Sequence, residues 1–242
     1  QRSAQGPGQR PARGLAEFPE KFENLQVLPE DISRAKLRET MRSFAMALGV
    51  RCHHCHVGEE GAPPSSFDFA SDEKPPKEKA RLMIRMVKAI NETHLTKLDE
   101  PPEERIQVQC VTCHHGQSEP RLLEEILAEV HAKDGLEAAI SKYRDLKQKY
   151  YGGFSYDFQE QSLISFAQHL AMAKNKPEDA VAILKLNVEL HPQSANTYFF
   201  LGEIYRMQRK LDLAKANFEK ALALDPSNRR ARGRLRQLSR RP

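Results

Sequence analysis

The sequence has no tryptophan, only four cysteines and an aromatic content of 7%. It also lacks any run of eighteen or more apolar residues, so no segment is expected to span a membrane as a helix. All four cysteines lie in two short motifs, which leaves none for a structural disulfide. No alternation of strand and helix signals occurs around those motifs, which excludes a thioredoxin-like setting for them. No nucleic-acid fold signature is present either, and no nucleic-acid partner is expected. With 39% hydrophobic and 29% charged residues over 242 positions, the chain reads as soluble and helix-rich.

Acidic residues are missing from both ends. Residues 1–14 carry Arg2, Arg10 and Arg13, and residues 229–242 carry seven arginines, at 229, 230, 232, 234, 236, 240 and 241. The net charge is only +5, so the segment between the ends is net negative. Basic ends of this kind can meet an acidic surface. The plainer reading is a solvated tail and a solvated last helix. The opening at Gln1 reads as a mature, processed terminus, and because that residue is not cysteine no lipid anchor is expected there. The Gly, Pro, Gln and Arg of residues 1–14 cannot build a core, so this basic extended tail orders only against its own domain or a neighbouring subunit.

What is present divides the chain into a domain at 15–120 and another at 121–242. In the first, Leu37, Met41, Phe44, Ala45 and Leu48 recur at helical spacing and predict a helix over about 32–48, with Asp31 as N-cap and Gly49 as its stop. A second helix is expected over about 78–93. Each helix precedes a C-x-x-C-H motif: Cys52-His53-His54-Cys55-His56 and Cys110-Val111-Thr112-Cys113-His114. From Pro120 onward the pattern changes to long amphipathic helices. Residues 195–228 form a 34-residue unit with Tyr198, Leu201, Gly202, Tyr205, Ala214, Phe218, Ala221 and Pro226 where a tetratricopeptide repeat places its packing residues. Residues 161–194 match at Ala167, Ala180, Leu184 and Pro192, with Gln168 where glycine is usual. Residues 120–150 read as a degenerate third unit through Ala139 and Tyr143. Arg229 to Leu238 reads as a capping helix.

The motifs point to covalent haem. Two thiols separated by two residues can reach the two vinyl groups of one porphyrin edge, and the next histidine then lies under the iron as proximal ligand. Zinc sites pair their C-x-x-C motifs about 15–20 residues apart, whereas residues 56–109 separate these two. The cofactors expected are therefore two haem c groups, held by Cys52, Cys55, Cys110 and Cys113, with His56 and His114 on the metals. For the sixth ligands, Met41 lies eleven residues before Cys52 on the helix that feeds the first motif, with Met46 nearer. Met83, Met86 and His94 compete at the second. A helical methionine is ordinarily a packing residue, but a haem needs a sulfur or nitrogen on its distal face. His53 and His54 point away from their own iron. His115 is expected against a propionate or backbone, and His131, His169 and His191 among ordinary surface or packing residues.

These residues resemble a known family. Leu25 to His56, with Met41 and then Leu48-Gly49-Val50 before Cys52, resembles the cytochrome c subunit of photosynthetic reaction centres. Met83-Ile84-Arg85-Met86-Val87 to Asn91, followed by Val111-Thr112-Cys113-His114-His115-Gly116, resembles the second half of the same unit. The resemblance covers roughly residues 22–121. That family carries four haems in two tandem pairs, with a helical methionine as sixth ligand for three of them and a histidine for the fourth. This chain has one pair and ends in repeats. The resemblance implies Met41 with His56 and Met83 with His114, and places His94 out of register for the remaining histidine role.

An all-α electron-transfer protein is therefore expected, with a two-haem cytochrome c domain followed by a tetratricopeptide-like repeat domain. Its partner is a redox protein, or further copies of itself in a homo-oligomer. A contact that does not close makes a filament, so an extracellular conductive cytochrome filament and a soluble periplasmic carrier are both open. A two-haem peroxidase would need one open distal side with an acid-base group over it, and a sensor would need a ligand-binding haem; neither is the expectation, and no catalytic residue is assigned. The resemblance to c-type cytochromes implies thioether attachment completed outside the bacterial cytoplasm, so a periplasmic or extracellular location is expected.

Overall fold

A computed structural model describes residues 21–239. The basic tail at 1–14 lies outside the described residues. The chain divides into two compact units, 1–120 and 121–242. Among the described residues both are helical without strands, and one isolated antiparallel bridge joins Val57 to Asp68.

In the first unit, α1 runs Arg34–Leu48. Its cap is Ser33, whose Oγ accepts the Lys36 N–H at 3.2 Å, and not Asp31. Asp31 sits in the preceding turn, while Ser33 has the extended backbone that a cap requires. The helix stops where expected. Gly49 turns left-handed at φ 66°, its N–H donates to Met46 O at 3.3 Å, and Val50 N–H donates to Ala45 O at 3.0 Å. That is the Schellman pattern, and glycine takes it without side-chain strain.

Helix α2 spans Pro75–Ala89, three residues earlier than the periodicity suggests. Pro75 and Pro76 occupy its first turn, where a missing N–H costs nothing. The helix widens into a π turn at Ile90–His94 and tightens into a 3₁₀ turn at Leu95–Lys97. The short α3, Cys110–His114, is the second motif itself.

The second unit is a stack of helices: α4 Leu123–Asp134, α5 Leu136–Tyr150, α6 Glu160–Gln168, α7 Pro177–Leu190, α8 Ala195–Met207, α9 Leu211–Leu224 and α10 Arg229–Ser239. A continuous core threads it, from Leu123 and Leu127 through Leu163, Ile183 and Leu184 to Phe218 and Ala231. Burying each large member contributes about 1.5–3 kcal/mol. Gly202 lets α8 approach α9. A Cβ there would stand 2.5 Å from the Phe218 ring. The repeat residues Ala167, Ala180 and Ala214 are fully buried, as are Ala139 and Tyr143 in the α4–α5 hairpin. Asn187 ties three helices: its Nδ2 donates to Glu160 O at 3.0 Å and to Thr197 Oγ1 at 2.9 Å.

Candidate haem-binding site

The two motifs fold differently. Cys52–His54 is a single 3₁₀ turn shortly after α1, closed by Cys55 N–H donating to Cys52 O at 3.2 Å, with His56 N–H donating to the same oxygen at 3.0 Å. Cys110–His114 is one α turn. Gln109 caps it: its own N–H donates to Thr112 Oγ1 and its carbonyl accepts from Thr112 N–H, both at 3.0 Å. Asn91 fixes the approach to this motif. Its side-chain amide donates to Val108 O at 2.8 Å and accepts from Val108 N–H at 2.9 Å, which pins the chain two residues before Cys110.

The backbone brings the motifs side by side. Gly116, just past the second, donates its N–H to Ala47 O at 2.8 Å, just before the first. A Cβ on Gly49 would stand 2.1 Å from Gly116 O. Only two chains without side chains at that crossing approach so closely. His115 and Gly116 both take positive φ to make the turn, and α1 packs on α3.

The two proximal candidates sit in unlike surroundings. His114 Nδ1 lies 2.7 Å from Gln117 O. A carbonyl can only accept, so Nδ1 carries the proton and Nε2 keeps its lone pair, the tautomer that a metal requires. His56 packs its ring edge to face with Phe69, centroids 5.0 Å apart. Its Nδ1 is buried without a hydrogen bond of good geometry. Burial, reinforced by the Lys77 ammonium and opposed by the Phe69 backbone, pushes this histidine down to about 4. It is therefore neutral at pH 7, as a ligand must be. Burial also raises the thiols of Cys55 and Cys110.

The methionines lie on the flanking helices. Met41 is half-buried near the middle of α1, Met46 is 78% exposed, and on α2 Met83 and Met86 are 36% and 44% exposed. Exposed His94 ends the π turn. Several further apolar side chains near the motifs face outward, including Leu82 and Val111, while Leu37 and Ala47 are the apolar side chains that the described part of this unit buries.

The donor set suits haem better than a cation. Among the described residues no three His, Cys, Asp or Glu side chains converge as a metal cage. Each motif instead offers paired thiols, one imidazole and a rim of outward apolar and thioether groups, which is what a large flat apolar cofactor needs.

The family model for the photosynthetic reaction centre cytochrome C subunit matches residues 7–180. The chain belongs to that family. The match runs through α4–α6, well past the residues 22–121 that carry the resemblance in the sequence. A tetratricopeptide repeat model matches residues 195–228, the unit marked out by Tyr198 to Pro226. Cytochrome c-554 of Chloroflexus aurantiacus is 38% identical over 94 residues, which are 38% of this chain and 20% of that protein. The chain thus spans about a fifth of the length of this curated relative. Two solved structures are similar to the chain at 23% identity, each over 48% of this chain and 87% of the other: the first TPR of Spaghetti (RPAP3) bound to an HSP90 peptide, TM-score 0.34, and the first TPR domain of human RPAP3, TM-score 0.35. Membership of that family makes the chain a cytochrome c.

Sequence reasoning missed the residues that orient the site. Gln117, Asn91, Phe69, Lys77 and Asp72 had no motif to announce them. Asn91 stood inside the resembling segment, and an isolated amide between an amphipathic helix and a motif was the available signal.

Proposed function

We propose that the chain relays single electrons through two haem c groups. Cys52 and Cys55, with His56 and Met41, hold the first. Cys110 and Cys113, with His114 and Met83, hold the second. Bound haem supplies one-electron oxidation and reduction at iron. The observation that carries this reading is the backbone crossing of Gly49 and Gly116, which holds the two attachment segments against each other. Electron transfer falls steeply with distance, so adjacency is the property that a relay needs.

The residues have separate tasks in this reading. Gln117 O fixes the His114 tautomer, and Asn91 sets where the second motif begins. Phe69 walls the His56 ring. The exposed apolar rim is covered when the cofactors are in place. The repeat unit docks a redox partner or another copy of this chain. Its outward Tyr151 and Phe154 support docking, since Phe154 is 90% exposed. Assembly of copies into an extracellular filament is the sharper form of this reading, and a periplasmic carrier the simpler one.

Pyridine haemochrome analysis of the purified protein is expected to give two haems per chain, with a low-spin reduced spectrum. One haem, or a five-coordinate high-spin spectrum, overturns the relay and revives peroxidase chemistry. Electron microscopy of the same sample separates the assemblies: helical filaments support self-docking, and dispersed particles at every concentration support the carrier.

A further inference from the structure

A charged cluster stands beside the first motif. Lys77 on α2 is buried, and its Nζ donates to three consecutive carbonyls, Phe69 O at 2.9 Å, Ala70 O at 3.0 Å and Ser71 O at 2.7 Å. Arg81, one turn further along, is 5% exposed. Both cations meet the Asp72 carboxylate, at 3.0 Å and 2.8 Å. Asp72 also accepts from Asn24 Nδ2 at 2.9 Å, and Arg81 pairs with Glu78 at 2.9 Å. Lys74 donates to the His53 carbonyl, inside the motif.

The signs do not cancel at His56. Lys77 and Arg81 are buried, whereas the Asp72 and Glu78 side chains are 44% and 62% exposed. Water screens the carboxylates strongly and the cations weakly. The residual field beside the first motif is positive. Lys77 also holds the carbonyl of Phe69, the residue whose ring abuts His56. At His114 the Nδ1–H donates to the Gln117 carbonyl at 2.7 Å, a short, well-formed bond that raises the basicity of the ligating nitrogen.

We infer that the Lys77–Arg81–Asp72 cluster sets the reduction potential at the His56 site above that at the His114 site. An electron taken up lowers the local charge by one, and a fixed buried positive charge favours that state. A more basic imidazole favours the oxidised state. A single electron given by a chemical reductant to the fully oxidised chain therefore settles at the His56 site. The inference rests on the two-haem reading above. Lys77 acts as a positioning residue, through Phe69 and through its field.

The test is a reductive titration of the holoprotein, followed by absorbance. Wild type is expected to show two one-electron waves. Their equilibrium constants should differ by tenfold or more, which is about 59 mV. Lys77→Met should move the upper wave down severalfold in its equilibrium constant and leave the lower one in place. Lys77→Arg should keep it. Asp72→Asn and Glu78→Gln should move the same wave up, since they remove the counter-charge. Opposite shifts from opposite charges are the signature that a merely structural role does not give. Two coincident waves in wild type overturn the inference. So do shifts of both waves together, or a shift in one direction for all variants. Should Lys77→Met fail to mature, the two exposed carboxylates carry the test. A haem count below two in wild type sinks the two-haem reading itself, and is measured separately from any potential.

Discussion

Gly49 shows how a single residue joins the two motifs. Its φ of 66° already favours glycine, and a Cβ would stand 2.1 Å from Gly116 O and 2.9 Å from the carbonyl carbon. Both are backbone atoms and cannot rotate away. Gly49→Ala is expected to add to the left-handed strain, about 1–2 kcal/mol, a displacement of one motif from the other. The melting temperature of the first unit and the haem content per chain should both fall; an unchanged melt would mean that the crossing is slack. Tyr143 is the corresponding test in the second unit. It is fully buried, its hydroxyl has no hydrogen-bond partner, and burial, aided by Asp157 and Tyr151, pushes it up to about 12. A folded value raised above the unfolded one near 10 means that its share of stability is intact below pH 10. That share is lost as pH rises from 10 towards 12. Tyr143→Phe removes both the orphaned hydroxyl and the titration. It is expected to be neutral or mildly stabilising at pH 7 and to shift alkaline unfolding to higher pH in a pH-jump circular dichroism series.

At the scale of elements, the α8–α9 hairpin is the most constrained pairing in the repeat unit. Gly202 faces the Phe218 ring at a distance that leaves no space for a methyl group, and Phe218 is itself enclosed and 5.7 Å from Phe199. Gly202→Ala should destabilise the unit by about 1–3 kcal/mol through overpacking, read by denaturant titration. Adding Phe218→Leu should recover part of that loss, a coupling that distant sites do not show. This hairpin was legible in the sequence because its constraint repeats: small and large residues recur at fixed places over 34 positions. Both C-x-x-C-H motifs were legible for a similar reason, their pattern being local. What escaped was held by contacts between distant residues. Asn24 meets Asp72 across 48 residues and Asn91 meets Val108 across 17, and neither leaves a periodic trace. The last helix was legible as a cap, but the contacts of its arginines were not. Its arginines read as a solvated charge run, yet Arg234 grips Glu203 through two bonds, at 2.8 Å and 3.0 Å, and Arg230 lies over the Phe199 ring at 4.5 Å. Two charges therefore fasten α10 to α8, and the burial of Ala231 completes the cap.

At the scale of the whole chain the two units differ in what holds them together. The repeat unit carries a continuous apolar core from Leu123 to Ala231. The cytochrome unit buries Leu37 and Ala47 among its described apolar side chains, while Leu82, Met83 and Met86 face outward. A core that small cannot offset the conformational entropy of about a hundred residues. Its own polar contacts, chiefly the Lys77–Arg81–Asp72 cluster and the Asn91 clamp, fix loops but contribute little net free energy each. Covalently bound haem is expected to supply the missing apolar contact, as metals do in domains that fold only when loaded. Replacing all four cysteines, Cys52, Cys55, Cys110 and Cys113, with alanine removes covalent attachment and should divide the chain's behaviour in two. Limited proteolysis is expected to degrade residues up to about 120 while leaving a protected fragment from about 121 onward. That fragment should unfold cooperatively by circular dichroism. If the cysteine-free chain instead protects both units equally, the cytochrome unit has a sufficient core of its own, and the outward apolar rim must serve something other than haem.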